Sequence, residues 1–357
     1  MNSMSWASTA SSTLSNRPND VISGVFQGPA RMTHHPTTRR RSEVFRKSIL
    51  FATFATALSL CPTVWSQEPE KKAEAPKASA TAEPAKSPEI KRDYDLVYTK
   101  AGDTELKLDI ARPAGDGEPL ATIVVIHGGG WRGGNKESNR RFLDMLAEKG
   151  FVAVSPQYRL VPKAIFPAQV HDVKAAVRWL KSHAKEHRID PDRIGAMGFS
   201  AGGHLALMLG VSGSSDGLEG DLEPKGPDTK IRAVVNYFGP TDLDADDIPE
   251  VSKPLVDAFL GGPVAEKKAE ASKASPLDLV TEGDPPILTF QGTKDPLVPH
   301  TQAYKLADAM TAKGVPGRVE LYVGDGHGWE GIETTLEDAA DFFDSHLKKQ
   351  EQRRRRR

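Results

Sequence analysis

The chain has 357 residues with 47 basic and 48 acidic side chains, a formal net charge of −1 at pH 7, so it carries no strong field for nucleic acid or other polyanions. Without residues 1–66 the count is 40 basic against 46 acidic, which makes that exclusion firmer. Its single cysteine, Cys61, lies near the N-terminus and leaves the remainder without a disulfide or a thiolate nucleophile.

Arg39-Arg40-Arg41 and Arg46-Lys47 precede the apolar run Ile49 to Leu60, and Thr63-Val64-Trp65-Ser66 follows it. This arrangement reads as a secretory leader over residues 1–66, with Met32 a candidate start. A run of twelve residues is too short to span a bilayer, so export to the periplasm or beyond without a permanent membrane anchor is expected. Residues 67–92 are mostly Glu, Lys, Ala, Pro and Ser; with little apolar bulk to offset ordering entropy, they read as a flexible linker.

From residue 93 to 349 the pattern becomes that of one α/β domain. Strand-like runs at 94–99, 105–111, 121–126, 151–155, 193–197, 231–236, 286–290 and 318–323 alternate, after the first pair, with helical runs near 138–149, 167–187, 201–210, 301–313 and 333–348. Residues 212–229 and 241–275, rich in Gly, Pro, Asp and Lys, interrupt the rhythm and read as excursions over the C-terminal edge of the sheet. Arg353 to Arg357 reads as a solvated basic tail over residues 350–357, with no interleaved aromatics to suggest nucleic-acid binding.

Four chemistry-bearing features sit at the ends of these strands. The run Ala121 to Ile126 ends in His127-Gly128-Gly129-Gly130-Trp131. Side-chain-free backbone there can bring N–H groups to an oxyanion, with Gly129 and Gly130 the expected donors, and Trp131 both a further candidate donor and expected at the substrate. The quintet Gly198-Phe199-Ser200-Ala201-Gly202 falls between a short strand and an apolar helix. That makes Ser200 a nucleophile candidate on a sharp turn and the Ala201 amide a third oxyanion donor. Asp295, in Lys294-Asp295-Pro296, follows the run Pro286 to Phe290. It is the expected acid, ahead of Asp242 in Gly239-Pro240-Thr241-Asp242. His327, in Gly326-His327-Gly328, follows Val319 to Val323 and is the expected base. Among the other histidines His300 is the rival, while His183 and His187 read as solvated helix residues.

The order Ser200, Asp295, His327 behind a His-Gly-Gly-Gly segment resembles the α/β-hydrolase superfamily, in particular its esterase and lipase branch. Further stretches are similar to bacterial esterases that include bifunctional acetylxylan and feruloyl esterases: Ser155-Pro156-Gln157-Tyr158-Arg159-Leu160, Phe166 to Leu180, and Ala274-Ser275-Pro276-Leu277. The resemblance implies a mostly parallel eight-stranded sheet with helices on both faces. It also implies a Ser200–Asp295–His327 triad and an acyl-enzyme route. Separately, no metal-ligand spacing is read in the sequence, and catalysis without metal or cofactor is expected. The expected substrate is a carboxylic ester, with an acetyl- or feruloyl-bearing polysaccharide the leading choice and a broad small-molecule esterase or lipase second. A prolyl-oligopeptidase-like peptidase lacks room here for its usual propeller. A non-catalytic binding relative usually lacks a triad member, and all three are present. Relatives often carry Gly-Asp-Lys where this chain has Gly134-Asn135-Lys136, a departure expected at the pocket edge.

Overall fold

The computed structural model describes the backbone of residues 21–26 and the chain from 88 to 348. The leader's charged and apolar run, most of the linker and the arginine tail lie outside the described residues. Nine strands form one sheet: β1 (Val21–Phe26), β2 (Ile90–Ala101), β3 (Thr104–Pro113), β4 (Leu120–Ile126), β5 (Val152–Pro156), β6 (Ile189–Phe199), β7 (Val234–Tyr237), β8 (Ile287–Gly292) and β9 (Gly317–Tyr322). Their order is β1-β9-β8-β7-β6-β4-β5-β3-β2. β5 through β9 pair in parallel around β4, and β2–β3, β3–β5 and β1–β9 are antiparallel.

All eight strand-like runs of the domain become strands, displaced by a few residues at their ends. Two boundaries differ from the sequence reading. β2 begins at Ile90, so the last residues assigned to the linker belong to the sheet. Val21–Phe26, assigned to the leader, adds a ninth strand at the edge, in register from Val21 opposite Tyr322 to Phe26 opposite Gly317. That hexapeptide, Val-Ile-Ser-Gly-Val-Phe, carries the β-branched and aromatic residues that suit a strand, a signal hidden by treating residues 1–66 as one leader.

The buried strands divide their side chains between two cores, as the period of two requires. On β4, Val124 and Ile126 pack on one face with Val170 and Val173 of α2 (Ala168–Ser182), Leu205 and Met208 of α3 (Ala201–Val211) and Leu306 and Met310 of α7 (Thr301–Lys313). Ile123 and Val125 pack on the other with Leu143 and Leu146 of α1 (Arg140–Glu148) and Leu336 and Phe343 of α8 (Thr335–Phe343). Helices therefore cover both faces, and the parallel strands end together along one edge. The excursion at 241–275 holds helices that its composition concealed: α4 (Lys253–Leu260), α5 (Lys268–Lys273) and, just beyond, α6 (Pro276–Leu279). α4 has a proline in its first turn and stops at left-handed Gly261, both readable boundary signals.

Candidate active site

Ser200 stands between β6 and α3 with φ 54° and ψ −121°, a region that residues with a Cβ rarely occupy. The turn is this tight because its flanks have no side chains. A Cβ on Gly198 would lie 2.2 Å from the Gly202 carbonyl oxygen, and one on Gly202 would lie 2.1 Å from that of Ile126. The Ser200 amide donates to the Tyr237 carbonyl at 2.8 Å, tying the elbow to β7.

The loops after β8 and β9 bring the other two residues to it. Asp295 is buried, and its carboxylate accepts four hydrogen bonds: Oδ1 from the Leu297 and Val298 amides at 2.8 and 2.9 Å, Oδ2 from Gln291 Nε2 at 3.1 Å and from His327 Nδ1 at 2.8 Å. An ionised carboxylate only accepts, so the imidazole proton sits on Nδ1 and leaves Nε2 an acceptor. Nε2 lies 2.8 Å from Ser200 Oγ. The ring of Phe238, itself at φ 42°, packs at 4.7 Å from that of His327. Asp242, the alternative acid, is paired with Lys305 at 3.1 Å. His300, the alternative base, precedes α7 and stacks edge-on with Tyr304.

The glycine loop lies directly against the elbow: a Cβ on Gly128 would be 2.7 Å from the Phe199 carbonyl oxygen and 3.4 Å from Ser200 Cβ. Gly129 at φ 119° and Gly130 at φ 58° take conformations that glycine tolerates. The Gly129 carbonyl accepts from the Arg132 and Gly133 amides. The amides of Gly129, Gly130 and Ala201 have no acceptor among the described residues, so three N–H donors remain uncommitted beside Ser200. Ser200, His327 and all three of these residues line one cavity of about 570 Å³. Its far wall is apolar and comes largely from the excursion, through Leu243, Ile248, Pro249, Leu255 and Val256, with Leu297 and Val298 beside them.

Trp131 also borders the cavity, but only 3% of its surface is exposed, and it serves mainly as an anchor. Its indole stacks on Phe259 of α4 at 4.3 Å, and its N–H donates to His204 Nδ1 at 3.3 Å. His204 Nε2 in turn donates to the Ala274 carbonyl at 2.7 Å. His204 is fully buried, and burial pushes its imidazole down to about 4. The oxyanion-type loop, the helix behind Ser200 and the excursion thus meet at one neutral histidine. Neither this junction nor the Phe238 contact was legible in the sequence, because both depend on which loops cross the sheet edge.

Asn135 does not reach the cavity. Its side chain caps the following turn by accepting from the Ser138 amide at 3.0 Å, a role that aspartate fills equally well. Lys136 is fully buried and bonds to Asp109 at 2.6 Å, to Glu137 at 2.7 Å and to Asp95 at 2.8 Å. Burial alone would lower the Lys136 ammonium, but the three carboxylates outweigh it and raise it. The effect is to fasten the end of the glycine loop to β2 and β3. The helix read to 187 ends at Ser182, and His187 is buried against Trp179 rather than solvated. His183 and His187 flank Glu186 at a spacing found in some metal sites, yet no group of three metal-ligating side chains gathers among the described residues. No helix among them is long and apolar enough to cross a membrane.

Residues 108–310 match the family model described as BD-FAE. The chain is 31% identical over 221 residues to "Esterase LipC" of Mycobacterium tuberculosis, covering 60% of this chain and 54% of that protein; it thus spans about half the length of the curated relatives it matches. Among solved structures, a "truncated form of carbohydrate esterase from gut microbiota" is 28% identical with a TM-score of 0.65, over 73% of this chain and 98% of that one. Esterase Est2 of Thermogutta terrifontis with butyrate bound is 29% identical with a TM-score of 0.61, over 72% and 94%. With the family model matched over more than half of its residues and this sheet and edge beneath it, the chain belongs to the BD-FAE family, within the esterase branch of the α/β-hydrolase superfamily.

Proposed function

We propose that the chain is a carboxylic ester hydrolase working through an acyl-enzyme. The observation that carries this reading is the continuous Asp295–His327–Ser200 chain, with 2.8 Å at both hydrogen bonds, at the floor of a cavity bordered by uncommitted amides. Ser200 Oγ attacks the ester carbonyl while His327 Nε2 takes its proton, and Asp295 stabilises the imidazolium. The oxyanion is received by the Gly129, Gly130 and Ala201 N–H groups. His327 then passes the proton to the leaving alkoxide, and the alcohol departs. Water, deprotonated by the same imidazole, attacks the acyl carbonyl; the acyl–Oγ bond breaks as His327 returns that proton to Ser200 Oγ, and the acid leaves.

For the substrate we propose a short acyl group, acetyl first, carried on a carbohydrate. The carbohydrate esterase and the butyrate-bound Est2 among the similar structures support this, and so does the compact apolar wall. Feruloyl esters of the same polymers are the second choice. Hydrolysis of 4-nitrophenyl acetate by the wild type and by Ser200→Ala tests the reaction, and equal rates would overturn it. Acetate and ferulate release from xylan and pectin tests the substrate; long-chain triglyceride cleavage with neither product released would refute it. Export belongs to the same proposal, and activity confined to the cytoplasmic fraction would count against it.

A further inference from the structure

Every polar side chain that lines the cavity, apart from Ser200 and His327, has a partner inside the protein except one. The Ser252 hydroxyl donates to the Leu297 carbonyl at 2.8 Å. The Gln302 carboxamide accepts from the Thr241 and Asp242 amides and donates to the Asp242 carbonyl. The Asp242 carboxylate is held by Lys305. Arg132 follows Gly130 and Trp131 in the glycine loop and is exposed where it borders the cavity. Its guanidinium has no hydrogen bond or ion pair among the described residues, although its backbone amide is anchored to the Gly129 carbonyl.

The backbone at Arg132 is therefore anchored, while the five N–H donors of its exposed side chain have no partner among the described residues, at the border of a cavity whose other polar side chains, away from Ser200 and His327, are paired. A guanidinium matches a carboxylate by a two-point fork, which a neutral hydroxyl cannot reproduce. We infer that Arg132 is a specificity-determining residue that recognises a carboxylate on the ester substrate. The inference rests on the hydrolase reading above. The carboxylate can belong to the acyl half, as in a dicarboxylic half-ester, or to the alcohol half, as in an acylated uronic acid. Either source presents the same group to the same side chain.

Two substrate pairs separate these sources. One is 4-nitrophenyl hemisuccinate with its primary-amide counterpart; the other is an O-acetylated methyl glucuronide with the corresponding glucuronamide. The wild type should favour the carboxylate member of one pair by about tenfold in kcat/KM at low ionic strength. The preference should shrink as salt is raised. It should fall close to unity in Arg132→Gln and be partly retained in Arg132→Lys. Equal rates within both pairs, a preference that survives in Arg132→Gln, or cleavage of 4-nitrophenyl acetate but of neither pair would each overturn the inference. The hydrolase reading fails only if 4-nitrophenyl acetate is not cleaved, so the two failures are distinguishable.

Discussion

Replacing Ser200 by glycine should stabilise the protein while abolishing its activity. The residue holds φ 54° and ψ −121°, a conformation that costs a residue with a Cβ about 1–3 kcal/mol and glycine almost nothing. Against that gain stands the greater freedom of glycine in the unfolded chain, about 0.5–1 kcal/mol. The net is about 1 kcal/mol, or about 2–4 °C in Tm for a domain of this size. Ser200→Ala is the control, because it loses the same hydroxyl and its hydrogen bond to His327 yet keeps the Cβ. Tm of the three proteins would be measured by scanning calorimetry at one pH and scan rate. If Ser200→Gly melts no higher than Ser200→Ala, the elbow is not strained by its Cβ and the argument fails.

Asp295→Asn should lower kcat by about 10³–10⁴ with KM little changed, and near-normal turnover in steady-state assays would move the acid's role to Asp242. Lys136→Met should destabilise by about 3 kcal/mol in urea unfolding, because Asp109 then stays buried with Arg140 as its main partner; a loss below about 1 kcal/mol would mean the cluster is effectively solvated. His204 makes stability depend on pH. Its folded-state pKa of about 4 lies below the ordinary 6.5, so the unfolded chain protonates first and stability falls as the pH drops from 6.5 to 4, by about 3 kcal/mol in all. The stability advantage of wild type over His204→Gln should shrink by that amount between those pH values, and a constant difference would contradict it. Gly202→Ala should give little soluble protein and no esterase activity, since its Cβ would meet the Ile126 carbonyl at 2.1 Å; an active, well-folded variant would refute that contact.

The strands of the domain were legible because parallel, doubly covered strands read as short, continuous apolar runs, of which β4 is the clearest. Ser200, Asp295 and His327 were legible because each follows such a run, and the sheet gathers those ends along one edge. What escaped has a common cause. α4 and α5 are only eight and six residues long, too short for a repeat to build up against the polar, glycine-bearing chain around them, and Val21–Phe26 sits far in sequence from its partner β9. Phe238 and His204 follow ordinary apolar patterns, and their significance lies in what other loops place against them. Trp131 was expected at the substrate because of its neighbours in sequence. It does border the cavity, but its indole is almost wholly buried, where Phe259 and His204 hold it.

That anchoring bears on how such an enzyme can be altered. The segment that walls the cavity is bolted, through Phe259 and the Ala274 carbonyl, to the glycine loop that lies against Ser200. It is therefore not an interchangeable cassette. Grafting a relative's segment to change selectivity would carry turnover with it unless the graft brings its own stacking ring and a carbonyl at the height of His204. Variation confined to Ile248 and Pro249 leaves those two attachments in place and spares Leu255, which lies against Gly130 of the same loop, so that pair is where selectivity can drift with least disturbance of the chemistry.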